Sequence, residues 1–187
     1  MAALIYTGIT SLDGFISDET GNFDWSAPDE EVHAFVNRIE RPIGTYLVGR
    51  RLYEIMSVWE TMPTEGEPAV VADYADIWRS ADKIVFSTTL GVVSSTRTLV
   101  ERRFDPAAIG RLKAVSSKDI SVGGSNLAAQ ALAAGLVDRV RQFLSPVIVG
   151  GGTRFLPEKV ALELDLVDEF RFSNGVVYLD YRVRGAR

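Results

Sequence analysis

A short apolar strand, a pair of glycines and the start of a helix meet at Val122-Gly123-Gly124-Ser125-Asn126-Leu127. Glycine lets the backbone approach a ligand closely, and the first amides of a helix point at an anion because they have no partner within the helix. A glycine pair also occurs in ordinary tight turns, so this interpretation depends on the neighbouring segments. The stretch predicts a phosphate site made by Gly123, Gly124, Ser125 and Asn126.

Two other segments follow predicted strands and carry groups suited to a nucleotide. Gly49-Arg50-Arg51 follows the strand at 45–48, and Ser87-Thr88 lies at the end of the strand at 83–87. Ligands of open α/β sheets bind beyond the carboxyl ends of the strands, so these segments could line one crevice. Arginine at a helix N-terminus opposes the helix dipole, and a bound phosphate explains it better than helix stability does. A solvent-exposed arginine without a ligand is the alternative.

Strands and helices alternate until about residue 149, and the remainder of the chain is strand-like. Residues 15–27 read as a long loop, and Ser173-Asn174-Gly175 is a hairpin signal. The pattern predicts a single α/β domain over residues 1–187, with a mostly parallel sheet, helices on both faces and an antiparallel C-terminal hairpin. The predicted strands are 2–10, 45–48, 83–87, 120–122, 139–144, 164–172 and 176–183, and the predicted helices start at 28 and cover 50–57, 70–79, 105–113 and 126–134.

Composition narrows the functional classes. The 187 residues are 47% hydrophobic and 24% charged with a net charge of −5, which fits a globular protein and argues against general nucleic-acid binding. There is no cysteine, which excludes disulfides, a thiol nucleophile and cysteine-based metal sites. The single histidine, His33, excludes a histidine metal cluster, and we expect it to be solvated or to cap a helix. We predict no metal site.

Targeting signals are not evident. The first residues lack the basic start and long apolar stretch of a signal peptide, and no apolar run approaches the ~18 residues of a membrane helix. We therefore expect a cytoplasmic protein that binds neither nucleic acid nor membrane and acts on a small molecule.

Six segments, taken in order, identify a family resemblance: Thr10–Ile16, Leu47–Glu54, Val85–Leu90, Lys118–Ser125, Ala134–Asp138 and Ser145–Phe155. The chain resembles the dihydrofolate-reductase-like superfamily, and within it the stand-alone relatives of the riboflavin-biosynthesis reductase domain (the RibD C-terminal domain family). The resemblance covers nearly the whole chain. It implies a three-layer α-β-α fold and an NADPH-dependent reductase.

The resemblance also implies how the cofactor would lie. NADPH would cross the strand ends, and a 2′-phosphate favours arginine because a guanidinium binds it in a bidentate way. The implied contacts are Gly49, Arg50 and Arg51 with the pyrophosphate and the 2′-phosphate, Ser87 and Thr88 with adenosine, Gly123, Gly124, Ser125 and Asn126 with the pyrophosphate and the nicotinamide ribose, and Tyr6, Thr7 and Gly8 with nicotinamide.

On the substrate side, the resemblance implies an acid in the first long helix. Spacing to the aromatic Phe35 places Glu31 there, while a small shift would substitute Asp29 or Glu30. Residues 13–25 would form a mobile loop over the active site, with Asp13 as a second catalytic candidate. Trp25 and Ser145 complete the predicted substrate contacts.

Three functions remain open at this point. The first is an NADPH-dependent reductase of a pterin, an aminopyrimidine or a similar heterocycle, resembling either a 5-amino-6-(5-phosphoribosylamino)uracil reductase or a dihydrofolate reductase. The second is a true dihydrofolate reductase, which ranks lower because Ser145-Pro146 stands where a folate enzyme usually presents threonine. The third is a nucleotide-binding protein without catalysis.

The C-terminal strands could also form a homodimer. Their apolar residues supply the material for an interface, although they could equally be the core face of edge strands. These residues are Phe170, Phe172, Val177, Leu179 and Tyr181.

Overall fold

Two sheets and six helices make up the computed structural model, which describes residues 1–93 and 95–186. The strands are β1 (Leu4–Ser11), β2 (Phe15–Ser17), β3 (Ile43–Gly49), β4 (Asp82–Phe86), β5 (Thr98–Glu101), β6 (Asp119–Gly123), β7 (Arg139–Ser145), β8 (Thr153–Arg154), β9 (Leu162–Arg171) and β10 (Val177–Ala186). The helices are α1 (Glu30–Glu40), α2 (Arg50–Met56), α3 (Val58–Thr61), α4 (Ala69–Ser80), α5 (Pro106–Val115) and α6 (Ser125–Ala133).

The main sheet has eight strands in the order β5-β4-β3-β6-β1-β7-β10-β9. The first six strands in that order pair in parallel, and β10 pairs antiparallel with both β7 and β9. This arrangement confirms the predicted α/β class, the mostly parallel sheet and the antiparallel C-terminal hairpin. Because β3, β4 and β6 are parallel neighbours, their carboxyl ends lie at one edge of the sheet.

Alternation along the strands buries both faces of the sheet. Leu4 and Tyr6 of β1 pack in one cluster with α5 and α6, where Ile109 and Leu127 are buried. On the opposite face Trp78 of α4 packs with β1, β3 and β4. Near the hairpin, α1 packs its apolar stripe onto β7 and β10. These contacts produce the three-layer α-β-α arrangement, since side chains alternate between the two faces of each strand.

The end of α6 shows how local sequence sets an element boundary. Gly135 has φ +66°, the left-handed conformation that glycine adopts without strain. Its amide donates to the Leu132 carbonyl, and the next amide, of Leu136, donates to the Ala131 carbonyl. This pair of bonds is the Schellman motif, in which Gly135 ends the helix.

Several features differ from the sequence predictions. The loop at 15–27 contains β2, which pairs antiparallel with β8, and a 3₁₀ turn at Asp24–Ser26. Strand β5 was not predicted. His33 is neither solvated nor a cap: it is half-buried, with its ring centroid 6.0 Å from Trp59 and 5.7 Å from Tyr74. None of the helices within residues 1–93 and 95–186 has the length and hydropathy of a membrane-spanning segment.

A buried ionic network fixes the C-terminal hairpin to the parallel strands. Asp180 of β10 is 1% exposed and accepts hydrogen bonds from Arg139, from Arg141 and from the Tyr178 hydroxyl. Arg141 also donates to the Ile39 carbonyl at the end of α1. One carboxylate therefore links β10, β7 and the first helix.

Replacing Asp180 by asparagine tests this network. Asp180→Asn leaves buried Arg141 without its counter-charge, and we expect a loss of about 3 kcal/mol in the free energy of unfolding. The measurement is urea denaturation. Asp165→Asn is the matched control on the same hairpin. Because Asp165 pairs with the exposed Arg182 and Arg184, its replacement should lower the free energy of unfolding much less. Equal losses in the two variants would contradict the role assigned to Asp180.

Candidate nucleotide-binding site

Three predicted segments meet where neighbouring strands end. In the sheet register Val48 lies beside Gly123, and Gly49 lies beside Phe86. The residues that follow these strands are therefore neighbours at the carboxyl edge of the sheet. The structure brings together the predicted contacts Gly49, Arg50 and Arg51, Ser87 and Thr88, and Gly123, Gly124, Ser125 and Asn126.

The two glycines of the central segment have different structural roles. A side chain at Gly123 would overlap Leu52, so its absence lets α2 pack against the end of β6. Gly124 has φ +90°, and a Cβ atom there would lie 3.8 Å from the Gly49 amide nitrogen. The backbones just before α2 and α6 therefore come close together, and neither glycine accepts a side chain without a rearrangement.

The N-terminus of α6 carries free hydrogen-bond donors. Gly124 is the N-cap residue and no side chain of the described residues caps α6, so the first amides of the helix have no partner within it. Ser125 is half-buried and Asn126 is exposed at this end. An anion in front of Gly124 would be bound by these amides and by the positive end of the helix dipole.

A tight turn follows β4. Ser87 is 8% exposed, and its hydroxyl oxygen accepts hydrogen bonds from the amides of Thr89 at 3.3 Å and Leu90 at 3.0 Å. The Ser87 side chain therefore shapes the turn from within. Thr88 stands exposed at its tip, where a ligand can reach it.

The adjacent arginines point to different partners. Arg50 donates from Nε to Glu54 Oε1 at 2.6 Å and from Nη1 to Thr89 Oγ1 at 2.8 Å, which places it over the turn after β4. Arg51 lines an open cavity of about 520 Å³ together with residues 18–21 and 152–153. The structure thus separates the two guanidiniums, and both remain exposed enough to meet an anion.

The predicted nicotinamide contacts on β1 face opposite sides of the sheet. A Cβ atom at Gly8 would lie 2.5 Å from a ring carbon of Phe155, and the Phe155 ring stacks on Tyr6 with centroids 4.2 Å apart. Close packing of Phe155 therefore accounts for glycine at position 8. Thr7 faces the α1 and α4 side, where its hydroxyl oxygen is buried without a hydrogen-bond partner among the described residues.

The two predicted catalytic acids both brace loops. Glu31 accepts hydrogen bonds from the amide and the hydroxyl of Ser173, in the turn between β9 and β10. Asp13 accepts from the amides of Val149 and Gly150. The Ser11 hydroxyl and these amides hold the pKa of Asp13 below its usual range. The carboxylate of each acid is thus occupied by another segment of the chain.

The predicted substrate contacts lie in three different environments. Phe35 is 7% exposed and packs in an aromatic cluster with Phe143 and Tyr178, with the guanidinium of Arg38 4.2 Å from its ring centroid. Ser145 is buried at the end of β7. Trp25 lies on the 3₁₀ turn Asp24–Ser26, and its indole nitrogen is buried without a partner in the described part of the chain. The structure does not gather these residues around one pocket.

An acid that sequence reasoning overlooked lies inside the molecule. Glu40, the last residue of α1, is 5% exposed, and its carboxyl group faces the hydroxyls of Tyr46 and Thr7. Neither hydroxyl has a hydrogen bond of ordinary geometry within residues 1–93 and 95–186, so bridging water suits this cluster. The sequence does indicate that Glu40 faces inward, because it follows Val36 and the buried Val32 at a spacing of four residues on one face of α1.

Burial raises the pKa of the Glu40 carboxyl above its usual range. The Tyr46 hydroxyl, the Arg141 guanidinium and the Thr7 hydroxyl offset part of that effect. Burial also raises the pKa of Tyr74, which Glu40 raises further. The carboxyl group that lies beside Thr7 is therefore protonated over a wider pH range than an exposed glutamate.

This pKa predicts a pH-dependent stability. The folded-state pKa of Glu40 exceeds its unfolded value, so its favourable contribution is complete below the unfolded pKa and is lost as pH rises through the folded pKa. Glu40→Gln cannot ionise and escapes that loss. We expect the melting temperature of the variant to rise relative to wild type as pH increases from 4.5 to 8. The exposed control Glu67→Gln should show a constant difference, and a constant difference for Glu40→Gln would contradict this interpretation.

Comparison with known proteins identifies the family. The RibD C-terminal domain family matches residues 2–178. A relative from Bacillus subtilis (strain 168), the uncharacterized protein YyaP, is 30% identical over 179 residues, which cover 94% of this chain and 92% of the relative.

Solved structures show the same fold at low sequence identity. A Shewanella sp. PV-4 protein named for riboflavin biosynthesis has a TM-score of 0.75 at 20% identity, covering 97% of this chain and 99% of that one. A pyrimidine reductase-like protein from Corynebacterium diphtheriae has a TM-score of 0.71 at 16% identity, with 97% and 92% coverage. A Thermotoga maritima diaminohydroxyphosphoribosylaminopyrimidine deaminase/5-amino-6-(5-phosphoribosylamino)uracil reductase has a TM-score of 0.66 at 18% identity, and this chain spans 56% of it. The matched region includes all the parallel strands and the segments that follow them, and the chain belongs to the RibD C-terminal domain family.

Proposed function

We propose that this protein is an NADPH-dependent reductase that transfers a hydride to a small heterocycle of the pterin or aminopyrimidine type. The observation that carries the proposal is the meeting of Gly49, Ser87 and Gly124 beyond three neighbouring parallel strands, with Arg50 and Arg51 beside them. Membership of the RibD C-terminal domain family supports it.

The residues of the crevice fit a dinucleotide phosphate. The pyrophosphate would lie against the uncapped amides at the start of α6, where Gly124 leaves room for close approach. Adenosine would lie against the turn after β4, near Thr88 and Arg50. Arg51 would contact the nucleotide from the cavity side. Bound NADPH would supply the hydride, and these residues would bind and orient the dinucleotide.

The remaining residues would act where the nicotinamide and the substrate meet. In this proposal Trp25 covers the substrate, and Thr7, which lies beside Glu40, contacts the nicotinamide from β1. Glu31 and Asp13 would contribute by holding their loops in place, because their carboxylates bind Ser173 and the Val149–Gly150 backbone. Holding both rings in register is the main contribution a protein makes to hydride transfer.

The names of structural relatives support an aminopyrimidine substrate, since one is pyrimidine reductase-like and another carries an aminouracil reductase. A true dihydrofolate reductase is the alternative activity, and a nucleotide-binding protein without turnover is the alternative class. NADPH oxidation with a panel of aminopyrimidines and pterins separates enzyme from binding protein. Sensitivity of the turnover to methotrexate separates a folate reductase from the proposed function.

Nucleotide binding is the first test. We expect NADPH to quench or shift protein fluorescence at micromolar concentration and NADH to bind more weakly. Arg50→Ala should weaken the binding of NADPH by roughly 10-fold or more and change the binding of NADH little, because Arg50 lies on the adenosine side. Arg51→Ala should weaken the binding of both nucleotides. Failure of the wild type to bind either nucleotide would remove the reductase assignment.

We also propose a homodimer through the C-terminal strands. The edge strand β9 leaves Leu166 52%, Val167 49% and Phe170 44% exposed, whereas Phe172 is buried in the core and takes no part. A second copy pairing with this edge would cover an apolar surface and unpaired backbone groups. Sedimentation velocity should show a dimer that Leu166→Lys converts to a monomer. A monomeric wild type would refute it.

A further inference from the structure

The turn Ser87–Leu90 is contacted from two sides by arginines. Arg50, at the start of α2, donates to Thr89 Oγ1. From the other side Arg102, which directly follows β5, donates from Nη1 to the carbonyl oxygens of Ser87 at 2.9 Å and Leu90 at 2.7 Å. Both guanidiniums are therefore fixed beside one short turn at the carboxyl edge of the sheet.

The two arginines differ in charge balance. Arg50 forms an ion pair with Glu54 at 2.6 Å, which partly neutralises it. Arg102 has no carboxylate within ion-pair distance among residues 1–93 and 95–186, and the carbonyls it binds carry no net charge. Arg102 is also exposed, and only its Nη1 atom is engaged within the described chain. Its Nε and Nη2 donors are available to an anion.

The surface of the turn suits a phosphate monoester. The Ser87 hydroxyl is occupied by the Thr89 and Leu90 amides, and the exposed Thr88 forms the tip. A dianionic phosphate beside this tip would meet two guanidiniums, and charge-assisted, bidentate hydrogen bonds are the strong ones. A neutral ribose hydroxyl at the same place would gain much less.

We infer that Arg102, acting with Arg50, recognises the 2′-phosphate of NADPH and determines the preference for NADPH over NADH. This inference rests on the proposed function, because it assumes that adenosine occupies the turn after β4. It adds a third arginine to the pair that the sequence indicated, and it assigns Arg51 to the opposite end of the nucleotide.

The competing role for Arg102 is bracing of the turn through its two carbonyl bonds. Bracing and phosphate recognition differ in one measurable way. Loss of a residue that braces the turn would disturb the adenosine pocket and weaken the binding of NADPH and NADH alike. Loss of a residue that binds the 2′-phosphate would weaken the binding of NADPH and leave that of NADH unchanged.

The experiment compares Arg102→Gln, Arg102→Lys and the wild type by isothermal titration with NADPH, NADH, adenosine 2′,5′-bisphosphate and 5′-AMP. We expect Arg102→Gln to weaken the binding of NADPH and of the bisphosphate roughly 10- to 100-fold. The affinities for NADH and 5′-AMP should stay within about twofold of wild type. Arg102→Lys keeps the charge and should recover part of the loss. Arg97→Gln is the matched control, because Arg97 precedes β5 at the opposite edge of the sheet and pairs with Asp82.

Each outcome decides between the two roles. An equal loss of NADPH and NADH, or no loss of either, overturns the inference and leaves Arg102 as a brace or as a bystander. Wild-type binding of neither nucleotide overturns the proposed function itself, which separates the two failures. Melting temperatures recorded on the same samples show whether a variant has lost affinity through unfolding.

Discussion

The close approach of the Gly49 and Gly124 backbones at the carboxyl edge of the sheet is the constraint on which the site depends. Residue 124 adopts φ +90° there, and a side chain at residue 123 would overlap the end of the Leu52 side chain on α2. Together these glycines bring the Gly49 backbone beside the start of α6. The parallel register of β3 with β4 and β6 then adds the turn after β4. Packing that stabilises the sheet thus also assembles the crevice.

The arginines around these strand ends lie in two separate places. The Arg50 and Arg102 guanidiniums contact one turn, while Arg51 faces residues 18–21 across an open cavity. Inside the molecule, the Asp180 network compensates buried charge by ion pairing, whereas burial of the Glu40 carboxyl raises its pKa. Both clusters lie on the face covered by α1, so the helix that flanks the proposed substrate side is fixed by polar as well as apolar contacts.

Much of this fold was predictable because strong periodicity and glycine signals coincide with its elements. Strands β1, β3, β6 and β7, the hairpin turn and the Gly135 cap follow from the sequence. The β2–β8 pair did not, because strands of three and two residues are too short to show alternation. The separation of Arg50 from Arg51 follows from helix geometry, since adjacent helical residues do not face each other. The sequence analysis assigned the catalytic acid to the first turn of α1 and so overlooked Glu40. Glu40 lies on the buried face of the helix, and an acid on that face points into the molecule.

Hydrogen exchange with and without NADPH is the most direct test of the proposed site, because it reports on the backbone amides that would contact the nucleotide. We expect slower exchange in segments 47–52, 87–90 and 122–127, with exchange in the C-terminal hairpin unchanged. Unaltered exchange in all three segments at saturating NADPH, or protection confined to other parts of the chain, would contradict a nucleotide site at the strand ends.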